Sequence, residues 1–205
     1  MMNITNILTI TWKTTFIVGI LGPVLFTLYV DDLLSVPTHC PATGYVDETK
    51  IFLSLPPNQI SDAVIALNYD LSAIVRWSCT NSLVINPDKT KLLVMGVPQI
   101  TRSLPSFLMV KLLGKEIKPV PVAKDLGVII DSSLSYNEHV TKTFSDCMYR
   151  LIRINRIKHL LDRKTLLLQI NAFVFSKLFY FSTVWRNTSK SNVKKCSSFK
   201  TLLAG

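Results

Sequence analysis

The residues most able to do chemistry are two adjacent carboxylates, Asp47 and Glu48. Apolar residues flank them at Tyr45-Val46 and Ile51-Phe52-Leu53, and this pattern predicts two strands joined by a tight turn that holds the acids. Carboxylates on a rigid backbone are the hard oxygen ligands that Mg²⁺ prefers. An acidic pair in a polar turn is also typical of a solvated loop. The pair alone therefore leaves a metal site and an ordinary turn both open.

Further motifs accompany the acidic pair in a fixed order. Upstream lies the run Ile20-Leu21-Gly22-Pro23-Val24-Leu25-Phe26, which continues to Tyr29-Val30-Asp31-Asp32-Leu33. Downstream lie Asn86-Pro87-Asp88-Lys89-Thr90-Lys91 and Lys124-Asp125-Leu126-Gly127-Val128. In this order and at these spacings, the motifs resemble the later palm motifs of reverse transcriptases from non-LTR, LINE-type retrotransposons of the jockey-like group. The resemblance runs from about Gly19 to about Lys195.

The resemblance implies an α+β fold, in which part of a reverse-transcriptase palm, an antiparallel sheet with helices, is followed by a helical thumb. That family transfers deoxynucleotides to a primer hydroxyl under the direction of a template, so an RNA template and a DNA primer are the implied partners. Asp47 would ligate two Mg²⁺ ions with help from Glu48, where the family has a second aspartate. Lys89 or Lys91 would balance phosphate charge. Gly127 would belong to the primer-gripping hairpin and let the primer backbone approach closely, and a strand with a glycine bulge is the other interpretation of this residue.

A second acidic pair, Asp31 and Asp32, follows Tyr29-Val30. It spells the tyrosine, hydrophobic, double-aspartate signature of retroviral enzymes more faithfully than residues 45–48 do. It directly follows a run that is a helix in the resembling family, so we predict surface acids at a helix end. Periodicity also allows a strand, a turn and a strand over residues 24–36, which would make this pair the catalytic one.

The chain also departs from the family pattern. Nothing in it matches the fingers motifs or the earlier palm strand with the first catalytic aspartate, and Thr15-Phe16-Ile17-Val18 replaces the family's Pro-Gln-Gly-Ser. Two metals need carboxylates from both palm strands, so the chain offers at most a partial Mg²⁺ site. The extra methylene of Glu48 moves its carboxylate by about 1.5 Å, which is a milder defect. We predict that the isolated chain does not polymerise.

Two other functions remain open. The chain could be a non-enzymatic remnant that binds nucleic acid through its basic helical part. It could also be the product of a decayed element that folds poorly, because a missing strand would leave a sheet edge exposed. The basic composition suits a polyanionic partner, since 23 Lys and Arg stand against 13 Asp and Glu and give a net charge of +10.

Composition and cysteine usage indicate a packed protein inside the cell. Hydrophobic residues make up 48% of the 205 residues and charged residues 18%, which argues against disorder. Four well-separated cysteines without a Cys-x-x-Cys pair read as reduced thiols, so we expect an intracellular protein, nuclear or cytoplasmic. Polar residues, glycine and proline interrupt the apolar runs, and no membrane span is predicted.

Periodicity and turn residues predict the order of elements. A buried helix over 20–34 precedes strands at 43–46 and 50–55, and a helix with one apolar face covers 59–78. Short strands follow at 83–86, 92–95 and 126–130, with a hairpin at 108–113 and 116–120. Helices cover 137–161 and 162–184, and six aromatic residues of the last region are expected mostly in the core: Phe173, Phe175, Phe179, Tyr180, Phe181 and Trp185.

These patterns predict three regions. Residues 1–18 match nothing, residues 19–133 form a partial palm, and residues 134–205 form a helical, thumb-like region. The boundary near residue 133 marks the change from α+β to helical texture.

Overall fold

The computed structural model describes residues 3–12, 21–102, 108–185 and 192. The chain divides into two compact units, Met1–Ala123 and Lys124–Gly205. The sequence places the change of texture near residue 133, whereas the compact units separate after Ala123. The assignment of the two parts to a palm and a thumb remains a prediction.

The first unit is built on a five-stranded sheet whose central strand is the first strand of the chain. In chain order the strands of this unit are β1 (Ile4–Thr11), β2 (Ala42–Tyr45), β3 (Glu48–Leu55), β4 (Lys91–Met95), β5 (Val110–Leu112), β6 (Lys115–Ile117) and β7 (Pro119–Val120). The sheet has the order β2-β3-β1-β4-β7, and β5 and β6 form a separate hairpin. β1 pairs antiparallel with both β3 and β4 and so holds the two sides of the sheet together.

Burial alternates strictly along β1, as expected of a strand with one face against the core. Its residues read Ile-Thr-Asn-Ile-Leu-Thr-Ile-Thr, and every second side chain, including those of Leu8 and Ile10, is buried. The intervening side chains are half-buried on the opposite face. β3 therefore has a strand on each side, and the open sheet edge expected beside the acidic pair is filled.

In the described part of this unit, three α-helices accompany the sheet: α1 (Gly22–Tyr29), α2 (Ile60–Thr80) and α3 (Pro98–Arg102). α2 carries Leu67, Leu71 and Ile74 at helical spacing, and these three side chains are buried in one core cluster with Leu8 and Ile51 of the sheet. Burial of each such side chain contributes about 1.5–3 kcal/mol. The predicted helix over 59–78 and its apolar face are confirmed.

The expectation of a buried helix over 20–34 is wrong. The helix ends at Tyr29 and is followed by a 3₁₀ turn over Asp31–Ser35. Phe26 packs against the core, but Leu21, Leu25 and Leu28 are 60–69% exposed. The apolar residues continue around this short helix, so one packed face cannot bury them all.

The expected strand over 83–86 is also wrong. Ile85 makes only an isolated bridge to Trp12. Residues 83–86 do not pair with β4, because β1 and β7 occupy its two sides. The predicted hairpin around Gly114 is confirmed as β5 and β6.

The second unit begins with a β-hairpin and continues as helices. The hairpin consists of β8 (Val122–Asp125) and β9 (Val128–Asp131). The division between the two units falls within β8, after Ala123. The helical part contains α4 (Asn137–Ile157), α5 (Arg163–Ile170), a π-helical turn over Asn171–Phe175, α6 (Ser176–Phe179) and α7 (Ser182–Trp185). Its core contains Val140, Cys147, Ile154, Val174, Leu178 and Trp185.

The helix predicted over 162–184 is interrupted, and its aromatic residues are less buried than expected. The π-helical turn adds a residue to one turn and so shifts the side chains that follow it. Val174 and Leu178 are buried, while four of the six aromatic residues are 44–55% exposed: Phe173, Phe179, Tyr180 and Phe181. Only Trp185 of the six is fully buried in the described residues, at 2% exposure.

A sheet with packed helices, followed by a helical unit, confirms the predicted α+β fold class. Among residues 3–12, 21–102, 108–185 and 192, no helix has both the length and the apolar character needed to cross a membrane.

Candidate site at the acidic hairpin

The predicted acidic hairpin is present, with Asp47 in its turn and Glu48 as the first residue of β3. Tyr45 pairs with Glu48 across the hairpin, and Val46 adopts a positive φ of 52° in the two-residue connection. The backbone N–H of Trp12 donates to the carbonyl of Asp47 at 3.3 Å. The turn is therefore fixed from the end of β1, and both carboxylates lie at one end of the sheet.

The strand beside the acidic pair provides no further carboxylate. Thr11 pairs with Glu48, and the indole N–H of Trp12 donates to the hydroxyl of Thr49 at 3.2 Å. The sequence contains no Asp or Glu before Asp31. In the part of the chain that the structure describes, no group of three His, Cys, Asp or Glu side chains could hold a metal. The residues present fit at most part of a two-metal centre, and Mg²⁺ binding here stays a prediction.

The Asn86–Lys91 segment lies at the same end of the sheet, on the other side of β1. The backbone N–H of Asn86 donates to the carbonyl of Thr11 at 2.8 Å, and the Thr90 hydroxyl closes the turn onto the carbonyl of Asn86 at 2.9 Å. Lys89 is exposed within this turn, and Lys91 is the exposed first residue of β4. The structure thus brings both predicted lysines to the end of the sheet that carries the acids.

Strand register shows which of the two lysines, Lys89 or Lys91, shares a face of the sheet with Glu48. Residues paired directly across strands share a face of the sheet. One such row across the strands consists of Tyr45, Glu48 and Thr11. The next row on the same face, two residues further along each strand, consists of Thr43, Lys50, Thr9 and Lys91. Lys91 therefore shares the face of Glu48, at roughly 12 Å between backbone positions from the spacing of strands and residues. Lys89 belongs to the turn.

Lys50 is a residue of this face that the sequence analysis missed. It pairs with Thr9, and Thr9 pairs in turn with Lys91, so two lysines flank one threonine on the half-exposed face. Strand periodicity could have identified Lys50 from the sequence, because residues two apart on a strand point to the same side and Lys50 follows Glu48 by two. The face therefore carries more positive than negative side chains.

Gly127 lies in the second unit, at the tip of the β8–β9 hairpin and not in a strand as predicted. It adopts a φ of +86°, and a Cβ at this position would lie 3.2 Å from Cε1 of Tyr180. The Tyr180 hydroxyl donates to the carbonyl of Leu126 at 2.7 Å. The close approach that glycine permits here is made to a tyrosine ring of the same unit, and contact with a primer backbone remains a prediction.

A buried carboxylate that the sequence analysis did not single out positions the start of the acidic hairpin. Asp70 of α2 is fully buried and accepts hydrogen bonds from the backbone N–H groups of Thr38, His39 and Cys40, at 3.0, 3.0 and 2.7 Å. Burial by itself would raise the pKa of Asp70, but these bonds outweigh it and the pKa is lowered. The loop they hold leads directly into β2.

The second acidic pair is a surface feature, as predicted. Asp31 and Asp32 are exposed in the 3₁₀ turn that follows α1, and Asp32 accepts a hydrogen bond from the indole N–H of Trp77 at 3.1 Å. The alternative of a strand, a turn and a strand over residues 24–36 is excluded, because α1 and the 3₁₀ turn occupy this segment.

The fold and the acidic hairpin together define the class: an α+β unit with paired acids at a hairpin, followed by a helical unit. Two curated proteins of Drosophila melanogaster are similar to this chain in sequence. They are the probable RNA-directed DNA polymerase from transposon BS and the RNA-directed DNA polymerase from mobile element jockey. Each is 24% identical over 190 residues, which cover 86% of this chain and 20% of the relative.

These similarities confirm the resemblance to the reverse transcriptases of non-LTR retrotransposons. The chain spans about a fifth of the length of these two relatives. No family model matches the chain, and no solved structure matches it significantly.

Proposed function

We propose that this chain is a piece of a retrotransposon RNA-directed DNA polymerase that does not polymerise by itself. The observation that carries the proposal is β1, which lies beside the acidic hairpin and offers Thr11 opposite Glu48. Two-metal nucleotidyl transfer needs carboxylates on both neighbouring strands. Asp47 and Glu48 could hold part of such a Mg²⁺ site, with Lys89 or Lys91 near the phosphates of an incoming nucleotide.

Primer extension by the purified full chain tests this proposal. The assay uses an RNA template, a DNA primer and either Mg²⁺ or Mn²⁺, with Asp47→Ala as the matched control. We expect no incorporation above the level of the control. Incorporation by the wild-type chain that Asp47→Ala abolishes would contradict the proposal.

A nucleic-acid-binding remnant is the second candidate, and the charge of the second unit favours it. From Cys147 onward the sequence contains one acidic residue, Asp162, against a long series of Lys and Arg. Asp162 accepts hydrogen bonds from the N–H groups of Lys164 and Thr165 as the cap of α5. Binding of an RNA–DNA primer–template duplex that weakens steeply with salt, without extension, would support this function. The partners of either function imply an intracellular location, nuclear or cytoplasmic.

A further inference from the structure

A groove in the second unit is independent of the acidic hairpin. It lies between α4 and the segment formed by α5 and the π-helical turn, and its volume is about 350 Å³. This volume is within the range of small-molecule sites, roughly 300–1,000 Å³. The groove is lined by Arg150, Arg153, Ile154, Ile157, Gln169 and Phe173. It thus combines two cations, one amide, one aromatic ring and an aliphatic wall.

The two guanidinium groups of the groove come from adjacent turns of α4. Arg150 donates from Nη1 to the carbonyl of Phe173 at 2.7 Å, and a guanidinium has further N–H donors beyond this one. The guanidinium carbon of Arg153 lies 5.7 Å from the ring centroid of Tyr149. Positions three apart on a helix are neighbours, so both groups can contact one anion. Planar guanidinium groups match the geometry of a phosphate.

Phe173 provides a flat apolar surface beside these cations. Phe173 is 49% exposed, although the next residue, Val174, is completely buried. It lies in the π-helical turn, a feature that often occurs at functional sites. Aromatic side chains placed next to cations are the usual platform for an unpaired base.

The charges around the groove favour an anion. No acidic residue occurs between Asp146 and Asp162. Asp146 is paired with Lys177 at 2.5 Å, and Asp162 caps α5. Neither acid lines the groove, and both have partners of their own. An anionic group entering the groove meets Arg150 and Arg153 without a competing carboxylate in its lining.

We propose that this groove binds one unpaired nucleotide, with its phosphate between Arg150 and Arg153 and its base against Phe173. The amide of Gln169 can donate to and accept from the polar edge of the base. The same chemistry suits a free nucleoside monophosphate or one nucleotide of a single strand. A duplex keeps its bases stacked and paired, so it cannot place one against Phe173 without the cost of extrusion.

Fluorescence anisotropy of a short fluorescein-labelled oligothymidylate with the full chain tests the proposal. Arg153→Ala and Phe173→Leu should each weaken binding about tenfold, the order expected for one charge-assisted contact and one stacked base. Arg156→Ala and Phe179→Leu are matched controls, because both residues are exposed in the second unit and lie outside the groove lining. The controls should change affinity by less than about twofold.

Salt dependence separates the two contacts. Arg153→Ala should reduce the slope of log affinity against log salt by about 0.7, the value for one phosphate contact with a single strand. Phe173→Leu should leave this slope unchanged. Arg153→Lys keeps the charge without the planar guanidinium, so it should keep the wild-type salt slope and bind more tightly than Arg153→Ala. If Arg153→Ala does not fold, Arg153→Lys tests the same contact, because its affinity should still fall below that of the wild type.

Competition identifies the source of the nucleotide. Thymidine monophosphate that displaces the probe indicates a free nucleotide, and binding restricted to the oligonucleotide indicates a strand; both results support the groove. Equal competition by inorganic phosphate and thymidine monophosphate would overturn the proposal, because the base would then contribute nothing. Equal losses in Arg156→Ala and Arg153→Ala, unchanged binding in both groove variants, or equal affinity for a duplex of the same length would also overturn it. None of these results depends on polymerase activity.

Discussion

Replacement of Asp70 should remove a large part of the stability of the first unit. The carboxylate is 0% exposed and accepts three successive backbone N–H groups, those of Thr38, His39 and Cys40. Oδ1 also faces the hydroxyl of Thr38 and Nδ1 of His39, at 3.4 and 3.2 Å. The side chain of Asp70 thus accepts a hydrogen bond from every backbone N–H group of residues 38–40, which lead into β2.

The magnitude follows from the number of donors that would lose their acceptor. A hydrogen bond to a charged group contributes about 1.5–3 kcal/mol, and a buried donor left unpaired costs about 1–3 kcal/mol. The three donors lie on a loop that can relax toward water, so the full sum is not reached. We expect Asp70→Ala to lower the free energy of unfolding by about 3–5 kcal/mol, within the range for a broken buried network.

Asp70→Asn should cost less, for a geometric reason. An amide oxygen in the place of Oδ2 still accepts from His39 and Cys40, while the NH₂ group can donate to Nδ1 of His39. Of the three backbone donors, only the N–H of Thr38 then loses its acceptor, together with the 3.4 Å contact from the Thr38 hydroxyl, and we expect a cost of about 1–3 kcal/mol. Asp62→Asn is the matched control on the exposed side of α2, with an expected change within about 0.5 kcal/mol.

Urea titration with amide hydrogen exchange, read on peptides of the first unit, measures these differences. Wild-type protein should protect the amides of residues 38–40, and Asp70→Ala should lose this protection before the sheet unfolds. A cost for Asp70→Ala no larger than that of Asp62→Asn would refute the reasoning, as would retained protection of the loop.

The same site predicts a pH dependence. Because the pKa of Asp70 is lowered in the folded state, its contribution to stability is complete above the unfolded value of about 3.9 and is lost as the pH falls below that value through the folded pKa. Asp70→Asn should flatten the stability profile over that acidic window.

Burial, with the hydrogen bond to Asp70 and its charge, raises the pKa of Cys40 to about 12, so this thiol should stay unreactive toward alkylating reagents in the native protein.

Three further predictions concern the second unit. Gly127→Ala should lower its thermal stability by about 1–3 kcal/mol, because φ is +86° and the new Cβ would press on Tyr180; a stabilising effect in calorimetry would contradict this. Burial and then the charge of Lys177 lower the pKa of His139, so stability should fall as the pH drops below the unfolded value of about 6.5, and His139→Asn should remove this slope in exchange experiments on α4. Asp162→Ala should speed amide exchange in the first turn of α5, and Asp162→Asn should retain most of the protection.

Local sequence was sufficient where neighbours in the chain decide the structure. The acidic hairpin was predicted from the apolar residues on both sides of Asp47, and α2 from apolar residues such as Leu67, Leu71 and Ile74 at helical spacing. The motif order was sufficient to predict the relation to retrotransposon polymerases. These signals act over a few residues or are carried by spacing alone, so they can be read without coordinates.

Tertiary packing decided which apolar side chains are buried and where helical segments are interrupted. Leu25 and Leu28 of α1 are exposed although their sequence is apolar, because hydropathy does not say which side of a helix finds a partner. Phe173 is exposed while the adjacent Val174 is buried, and the sequence alone does not say which of two neighbouring apolar side chains meets α4. The groove beside Arg150 and Arg153 likewise depends on how α4 packs against the segment that carries Phe173.

The sequence by itself determined the acidic pair, its hairpin and the absence of any Asp or Glu before residue 31. Only the tertiary structure decided what lies beside the pair. β1 ends at Thr11 and β3 begins only at Glu48, yet β1 pairs with β3 and β4. This pairing places Thr11 beside Glu48 and Thr9 between Lys50 and Lys91. Strand pairing depends on the free energy of the whole sheet and its core, because a central strand such as β1 must bury one face and find a hydrogen-bonding strand on each side.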